Sequence, residues 1–177
     1  MKKNQSRRNF LKVVPLAAAA IPLSGTLLFA SSTGSADGPV ASSGTVQLLT
    51  AEKIADAMKT FQAQLGEHYL YQPQDFPLTI AMTTQGKKIA KDFEYHEGRD
   101  HIFLFLDGSA KFEVGGTPKD ARNTRPGEWL APGSEGATVY DVKKGDMLVI
   151  PRNTPHRQSS ETSVTWVLIS PSGLMKT

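Results

Sequence analysis

The chain contains 177 residues, of which 39% are hydrophobic and none is cysteine, so disulfide bonds, thiolate metal ligands and cysteine nucleophiles are excluded. Its formal charge of +3 arises from residues 1–36, which carry five basic side chains and no acidic one. The other residues carry 15 basic and 17 acidic side chains, a net charge of −2, which removes the argument for nucleic acid as a partner.

Residues 1–36 have the composition of an export signal. A basic start is followed by an apolar segment over residues 13–30, and its two prolines argue against the alternative of a permanent membrane anchor. The stretch from Ser6 to Lys12, S-R-R-N-F-L-K, resembles the twin-arginine signal S-R-R-x-F-L-K. The resemblance implies export by the twin-arginine translocase, cleavage between residues 30 and 36, and a periplasmic or extracellular location.

The rest of the chain is expected to form one domain, residues 48–177, after a small and polar linker over residues 37–47. The domain begins with a predicted helix at residues 51–65, because Thr50 is suited to cap it and Gly66 to end it. Apolar residues recur at helical spacing in this segment and predict a face packed on a sheet; they are Ile54, Met58, Phe61 and Leu65.

From Phe76 onward the apolar pattern changes to the two-residue period of β-strands. Asp107-Gly108 predicts a hairpin turn between two of these strands, and residues 115–137, rich in Gly and Pro, predict a long loop. The predicted strands are an alternating segment at Leu78, Ile80 and Met82, and residues 89–96, 101–106, 111–114, 138–142, 146–150 and 164–170. One helix followed by about seven short strands indicates an antiparallel barrel or sandwich.

Two of the four histidines lie at the ends of predicted strands, and a third follows a tight turn after another strand. His96 and His101 flank E-G-R-D, and His156 ends the segment G-D-M-L-V-I-P-R-N-T-P-H. Taken alone, the first two could be exposed histidines of a charged loop. His68 follows the predicted helix and fits no motif, so we expect it to be structural or at the surface.

Residues 145–156 resemble the second motif of the cupin superfamily, G-x5-P-x-G-x2-H. Gly145, Pro151 and His156 match this motif, and Asn153 takes the place of its second glycine. The departure is mild, because asparagine tolerates a positive φ better than most residues.

The earlier segment is similar to the first cupin motif, H-x-H-x3–4-E-x6-G, with two residue types exchanged. Counting back from Gly108, His101 takes the place of the glutamate, His96 that of the second histidine and Glu94 that of the first. Residues 94 and 96 point to the same face of a strand, so three imidazoles and one carboxylate can still face one another.

The resemblance covers about residues 76–170 and implies an all-β fold: a cupin-type small β-barrel (a double-stranded β-helix or jelly roll) with one N-terminal amphipathic helix. It also implies a site in which Glu94, His96, His101 and His156 bind a divalent transition metal, and this mixed set of ligands suits Fe, Mn, Zn, Ni or Cu. Members of the superfamily are often dimers, so a homodimer is a possible assembly.

These features predict an exported metal-binding cupin, a metal-dependent enzyme of the dioxygenase or isomerase kind that acts on a small molecule under residues 115–137. Two alternatives stay open: a non-catalytic cupin that binds a sugar or metabolite, and a metal that only stabilises the barrel. A phosphate-binding loop and a nucleophile elbow are absent from the sequence. Phe103 and Phe105 share a face with His101 and are expected in the core, and Trp129 is expected to pack the long loop.

Overall fold

The structure, a computed structural model, describes residues 46–73 and 76–173. The predicted signal peptide, residues 1–36, and most of the predicted linker lie outside the described residues. Within the described part of the chain, no helix has the length and hydrophobicity needed to cross a membrane.

One helix, α1 (Ala51–Gln62), precedes the strands. Its first turn is capped as predicted, because the Thr50 hydroxyl accepts a hydrogen bond from the backbone N–H of Lys53 at 3.2 Å. The helix ends three residues earlier than predicted, and Gly66 begins a strand instead of ending the helix. Its apolar face is half-buried against the second strand and stacks Phe61 on His68, with ring centroids 3.8 Å apart.

Twelve strands follow in the described residues, and all of their pairings are antiparallel. They are β1 (Gly66–Tyr71), β2 (Leu78–Gln85), β3 (Phe93–His96), β4 (His101–Val114), β5 (Thr117–Lys119), β6 (Arg122–Arg125), β7 (Glu128–Ala131), β8 (Gly133–Glu135), β9 (Thr138–Lys143), β10 (Met147–Ile150), β11 (His156–Ser159) and β12 (Val164–Pro171). The strands β5 and β8 form a separate two-stranded ribbon.

The long strand β4 joins the two faces of the barrel. Its first half pairs with β10 and β12, and its second half pairs with β9 and β11. The predicted hairpin at Asp107-Gly108 is therefore wrong, because the chain bends at Gly108 and continues as one strand. Gly108 has φ +73°, and a Cβ there would lie 2.2 Å from the carbonyl oxygen of Ser163, so only glycine fits this corner.

Residues 115–137 are not the loop that the sequence predicts. They form four short strands, β5 to β8, and four of the five glycines in this segment lie outside the strands: two before β5, one between β6 and β7, and one after β8. The hairpin of β6 and β7 pairs with β3, with His96 opposite Glu128. A segment whose composition indicates a loop thus extends the sheet that carries one of the predicted ligands.

The interior contains a cluster of aromatic side chains. Four buried rings lie with centroids 5.1 to 6.3 Å apart; they are Phe103, Phe105, Phe112 and Trp166. The predicted core positions of Phe103 and Phe105 are thus confirmed, as are the strands predicted at 138–142, 146–150 and 164–170. The strand β1 has no counterpart in the prediction, and the strand predicted at 89–96 is confined to Phe93–His96. An antiparallel barrel preceded by one amphipathic helix confirms the predicted fold class.

Candidate metal centre

Three histidines from three strands meet at one end of the barrel. His96 ends β3, His101 begins β4 and His156 begins β11. One ring nitrogen of each lies within 4.8 Å of the other two, and the three residues are only 4%, 6% and 3% exposed. The structure therefore brings together the three imidazoles that the sequence predicts as ligands.

The turn before β11 is tied to the other two ligand strands. Asn153 has φ +61°, as its place in the motif requires, and its backbone N–H donates a hydrogen bond of 2.8 Å to the carbonyl oxygen of His96. Asp100 accepts hydrogen bonds from the backbone and the guanidinium of Arg152, the shortest of which are 2.7 Å. These contacts hold the start of β4, the end of β3 and the approach to His156 in one arrangement.

Each histidine has a buried ring nitrogen without a hydrogen-bond partner in the described residues. These atoms are Nε2 of His96, Nδ1 of His101 and Nε2 of His156. An unpaired polar atom in the interior costs about 1–3 kcal/mol, so three of them in one histidine cluster are unfavourable unless something binds there. Imidazole nitrogens with free lone pairs are ligands of divalent transition metals, and the residues present therefore fit such an ion.

The outer nitrogens of two of the rings are fixed by acceptors. Nδ1 of His96 donates to Oε2 of Glu128 at 2.7 Å, and Nδ1 of His156 donates to the carbonyl oxygen of Thr154 at 2.9 Å. An acceptor on Nδ1 selects the tautomer in which Nε2 keeps its lone pair. In His96 and His156, the free lone pair thus points to the centre of the cluster.

His101 is held differently. Nε of Arg99 donates to Nε2 of His101 over a long 3.4 Å, and this contact places the ring proton on Nδ1. The lone pair of Nδ1 becomes available when Nε2 carries the proton, which requires Arg99 to release this contact. Around His101, ligation and the observed hydrogen bond therefore compete. Nη2 of Arg99 also lies 3.0 Å from Nδ1 of His96, but the shorter contact of that nitrogen, at 2.7 Å, is with the carboxylate of Glu128.

The three rings are neutral at pH 7. Burial, followed by the nearby charge of Arg99, lowers the pKa of His96 to about 3. Burial, followed by the charge of His156, lowers the pKa of His101 to about 3. Burial also lowers the pKa of His156, against an opposing effect of Glu94. A neutral imidazole is the form that binds a metal ion.

Glu94, the fourth predicted ligand, lies at the edge of the cluster. Its Oε1 is 3.7 Å from Nε2 of His156, and its side chain is 53% exposed. The described residues that lie within mutual ligand distance are the three histidines without Glu94. His68, as expected from the sequence, has no part in the cluster and stacks on Phe61.

Glu128 is a site residue that the sequence does not reveal. Besides accepting from His96, its carboxylate binds both terminal nitrogens of Arg99, at 2.7 and 2.9 Å. Its position follows from the pairing of β7 with β3, which the composition of residues 115–137 conceals. The neighbouring Trp129 stacks on Tyr95 and donates to Glu97 at 2.8 Å, so its expected role in packing is confirmed.

A cavity of about 350 Å³ opens onto the histidine cluster. Its wall is largely polar and includes charged and hydroxyl side chains, among them those of Glu67, Thr79, Glu94, Arg99, Arg125 and Ser172. A volume of this order is at the lower end for small-molecule sites. The cluster is therefore accessible to a small polar molecule from one side and sealed by the aromatic core on the other.

The sequence matches no protein-family model, and no curated protein is similar to it. Solved structures with the cupin fold are similar to this chain. A cupin-superfamily protein from Desulfitobacterium hafniense is 18% identical, with 61% of this chain and 77% of that chain covered and a TM-score of 0.42. A cupin-2 domain protein from Shewanella frigidimarina is 13% identical, with 67% and 91% covered and a TM-score of 0.45. A DMSP lyase from Ruegeria pomeroyi is 15% identical, with 67% and 52% covered and a TM-score of 0.45. These likenesses concern the fold and say nothing about the chemistry of the site.

Proposed function

We propose that the protein is an exported metal-dependent cupin enzyme that acts on a small molecule. His96, His101 and His156 would hold a divalent transition metal, Fe, Mn, Zn, Ni or Cu, and Glu94 would be the fourth ligand. The observation that carries the proposal is the cluster of three buried histidines, each of which keeps a ring nitrogen without a hydrogen-bond partner in the described residues. A bound ion of this kind supplies Lewis-acid chemistry or binds dioxygen.

The remaining residues of the site have roles that follow from their contacts. Glu128 keeps the proton of His96 on Nδ1, and Thr154 does the same for His156, so both rings face the centre as neutral ligands. Glu94 is within reach of the cluster and half exposed to the cavity. A small rotation of its side chain would let it bind the ion or accept a proton from a bound molecule.

The open cavity distinguishes this site from a purely structural one. Structural metal sites are usually closed by protein ligands, whereas catalytic sites leave a position for water or substrate. Here His96 and His101 line a cavity of about 350 Å³ that reaches the surface. This access favours a site that meets small molecules, either as an enzyme or as a binding protein.

Metal analysis of the purified protein tests the proposal. We expect about one transition metal per chain after expression or reconstitution, and loss of the metal in His96→Gln, His101→Gln and His156→Gln. His68→Gln is the matched control, because this histidine lies outside the cluster, and it should retain the metal. A wild-type protein that binds none of the five metals after reconstitution would contradict the metal site.

Turnover separates the enzyme from the binding protein. We expect metal-dependent conversion in a screen of small polar molecules that includes catechols, keto acids and sugars. Saturable binding of one of them without any conversion would favour the non-catalytic alternative. A retained metal with neither binding nor conversion would favour a structural role.

We also propose that residues 1–36 direct the protein through the twin-arginine translocase. The support is the stretch S-R-R-N-F-L-K, in which Arg7 and Arg8 are the defining pair. The double substitution Arg7→Lys and Arg8→Lys should leave the protein in the cytoplasm, while Lys2→Arg and Lys3→Arg should not. Unchanged export of the double arginine variant, measured by cell fractionation, would refute this route.

A further inference from the structure

The wall of the cavity beside the histidines includes a positively charged side chain with few contacts, that of Arg125. Arg125 ends β6, and its side chain lines the cavity while remaining 70% exposed. Within the described residues it makes no hydrogen bond, and its ion pair with Oε2 of Glu128 is long, at 3.9 Å. The planar fork of N–H donors on this guanidinium therefore remains free for a ligand.

Glu128 engages Arg125 only through the long ion pair, because its carboxylate already accepts three shorter contacts. One oxygen accepts from Arg99 at 2.7 Å, and the other accepts from His96 at 2.7 Å and again from Arg99 at 2.9 Å. The two arginines therefore differ in their contacts. Arg99 binds Glu128 at 2.7 and 2.9 Å, whereas Arg125 has only the 3.9 Å ion pair with the same carboxylate.

The guanidinium of Arg125 lines the same cavity as His96 and His101. Arg125 is linked to His96 through Glu128: Oε2 of Glu128 lies 3.9 Å from the guanidinium and 2.7 Å from Nδ1 of His96. Its charge is also among the causes that lower the pKa of His96. A molecule small enough for a cavity of about 350 Å³ can therefore touch Arg125 and the imidazoles at the same time.

The cavity wall also carries two carboxylates and several neutral polar groups. Glu67 and Glu94 also line the cavity, but Glu94 belongs to the metal centre under the proposed function. The rest of the wall offers hydroxyl groups, such as those of Thr79 and Ser172, suited to neutral polar parts of a ligand. Arg125 is then the group that matches a carboxylate, since a guanidinium binds one with two parallel hydrogen bonds.

We propose that Arg125 binds the carboxylate of a small organic acid whose other polar end faces the three imidazoles. The proposal specifies the class of substrate, a small organic acid, and it rests on the proposed function. The hairpin of β6 and β7 thus serves both ends of the site: Glu128 orients a ligand of the metal, and Arg125 anchors the acid.

Calorimetric titration of the zinc-loaded protein with malonate, succinate, glutarate and acetate tests the anchor. Arg125→Gln should weaken at least one dicarboxylate by about tenfold or more, because it removes two charge-assisted hydrogen bonds. The affinity for acetate, which cannot reach from the imidazoles to the hairpin, should change by less than about twofold. Arg125→Lys should bind the same dicarboxylate with an intermediate affinity, because it keeps the charge and loses the fork.

Arg122→Gln is the matched control, because Arg122 lies on the same strand and pairs with Asp92 at 2.8 Å, away from the cavity. It should bind all four acids as the wild type does. Dicarboxylates that bind Arg125→Gln as tightly as the wild type, with zinc content unchanged, would overturn the anchor and leave the metal site standing. A wild-type protein that takes up no metal would overturn the proposed function and the anchor with it.

Discussion

Oε2 of Glu128 lies 2.7 Å from Nδ1 of His96, and the two residues are direct neighbours on paired strands, β7 and β3. The carboxylate is itself held by Arg99, so its orientation is fixed before any ligand arrives. A carboxylate behind a histidine fixes the tautomer of the ring and raises the basicity of its other nitrogen. This pair makes Glu128 a positioning residue of the centre, although it does not face the cluster.

Removal of this carboxylate should weaken metal binding. Glu128→Ala should lower the affinity by about 10–100-fold, and Glu128→Gln by less, because the amide oxygen can still accept from His96. The check is a competition titration against a chelator of known affinity. Glu135→Gln, an exposed glutamate on β8, is the control and should leave the affinity unchanged. Equal affinities for Glu128→Ala and the wild type would show that the ring of His96 needs no such support.

The stability of the metal-free protein should fall as the pH decreases from about 6.5 towards 3. The pKa of His96 and of His101 is lowered from 6.5 to about 3 in the folded state, so between these values the unfolded chain binds protons that the folded chain excludes. The neutral rings therefore contribute their full stability above pH 6.5 and lose it below. Each such histidine can change the unfolding free energy by up to about 1.4 kcal/mol per pH unit.

Urea unfolding between pH 7 and 5 measures this effect, in a range in which the carboxylates stay charged. His101→Gln should show a smaller slope than the wild type, because one proton-binding site is removed from the unfolded chain. A denaturation midpoint that stays constant from pH 7 to pH 5 would show that the buried rings take up protons without cost.

The ion pair of Asp100 with Arg152 should matter for the metal as well as for stability. It links the start of β4 to the turn before β11, and Arg152 holds the pKa of Asp100 below its usual value. Asp100→Asn should reduce the unfolding free energy by about 1–2 kcal/mol and also weaken metal binding, since His101 and His156 lose their common support.

A second bidentate pair on the barrel provides the comparison. Arg157 and Glu113 form two hydrogen bonds of 2.8 Å between β11 and β4 at residues whose side chains do not line the cluster. Glu113→Gln should lower stability by a similar amount without changing metal affinity. An equal loss of metal affinity in both variants would mean that general loosening of the barrel, and not the link to the turn, is responsible.

The corner of β4 should tolerate no side chain at residue 108. In Gly108→Ala, the new Cβ would collide with the backbone of Ser163, and the backbone would keep a positive φ. We expect a loss of about 2–5 kcal/mol in unfolding free energy, measured by urea denaturation. Gly136→Ala also has a positive φ, +81°, but its Cβ meets no atom within 4 Å, so it should cost only the smaller backbone strain. Similar losses for both variants would refute the steric argument.

The motifs around the histidines could be read from the sequence because they are local. The turn that returns His156 needs a residue with positive φ at position 153, and asparagine in that place has φ +61° in the structure. The same local pattern led to an error at Asp107-Gly108, where a dipeptide typical of hairpins forms a bend in a continuous strand. Positive φ at a glycine is common to both structures, so the dipeptide alone cannot distinguish them.

The sequence predicts only part of the arrangement in which Glu94 and His101 take each other's places in the motif. Alternation along β3 indicated that residues 94 and 96 share a face, but it could not indicate burial. His96 is 4% exposed, whereas the side chain of Glu94, two residues earlier on the same strand, is 53% exposed. The end of β3 is covered by neighbouring residues, and the position of Glu94 opens to the cavity. The distance of a carboxylate from a cluster depends on such neighbours more than on its position in the chain.

The sequence by itself determined the class of fold and the three histidines, since strand periodicity and short motifs depend on residues close together in the chain. The tertiary structure decided which groups stand behind and in front of those histidines. Glu128 and Arg125 reach the site because β7 pairs with β3 and β6 pairs with β7, in a segment whose composition indicates a loop. Pairing between strands is set by the packing of the whole barrel, and no pattern within either strand specifies it.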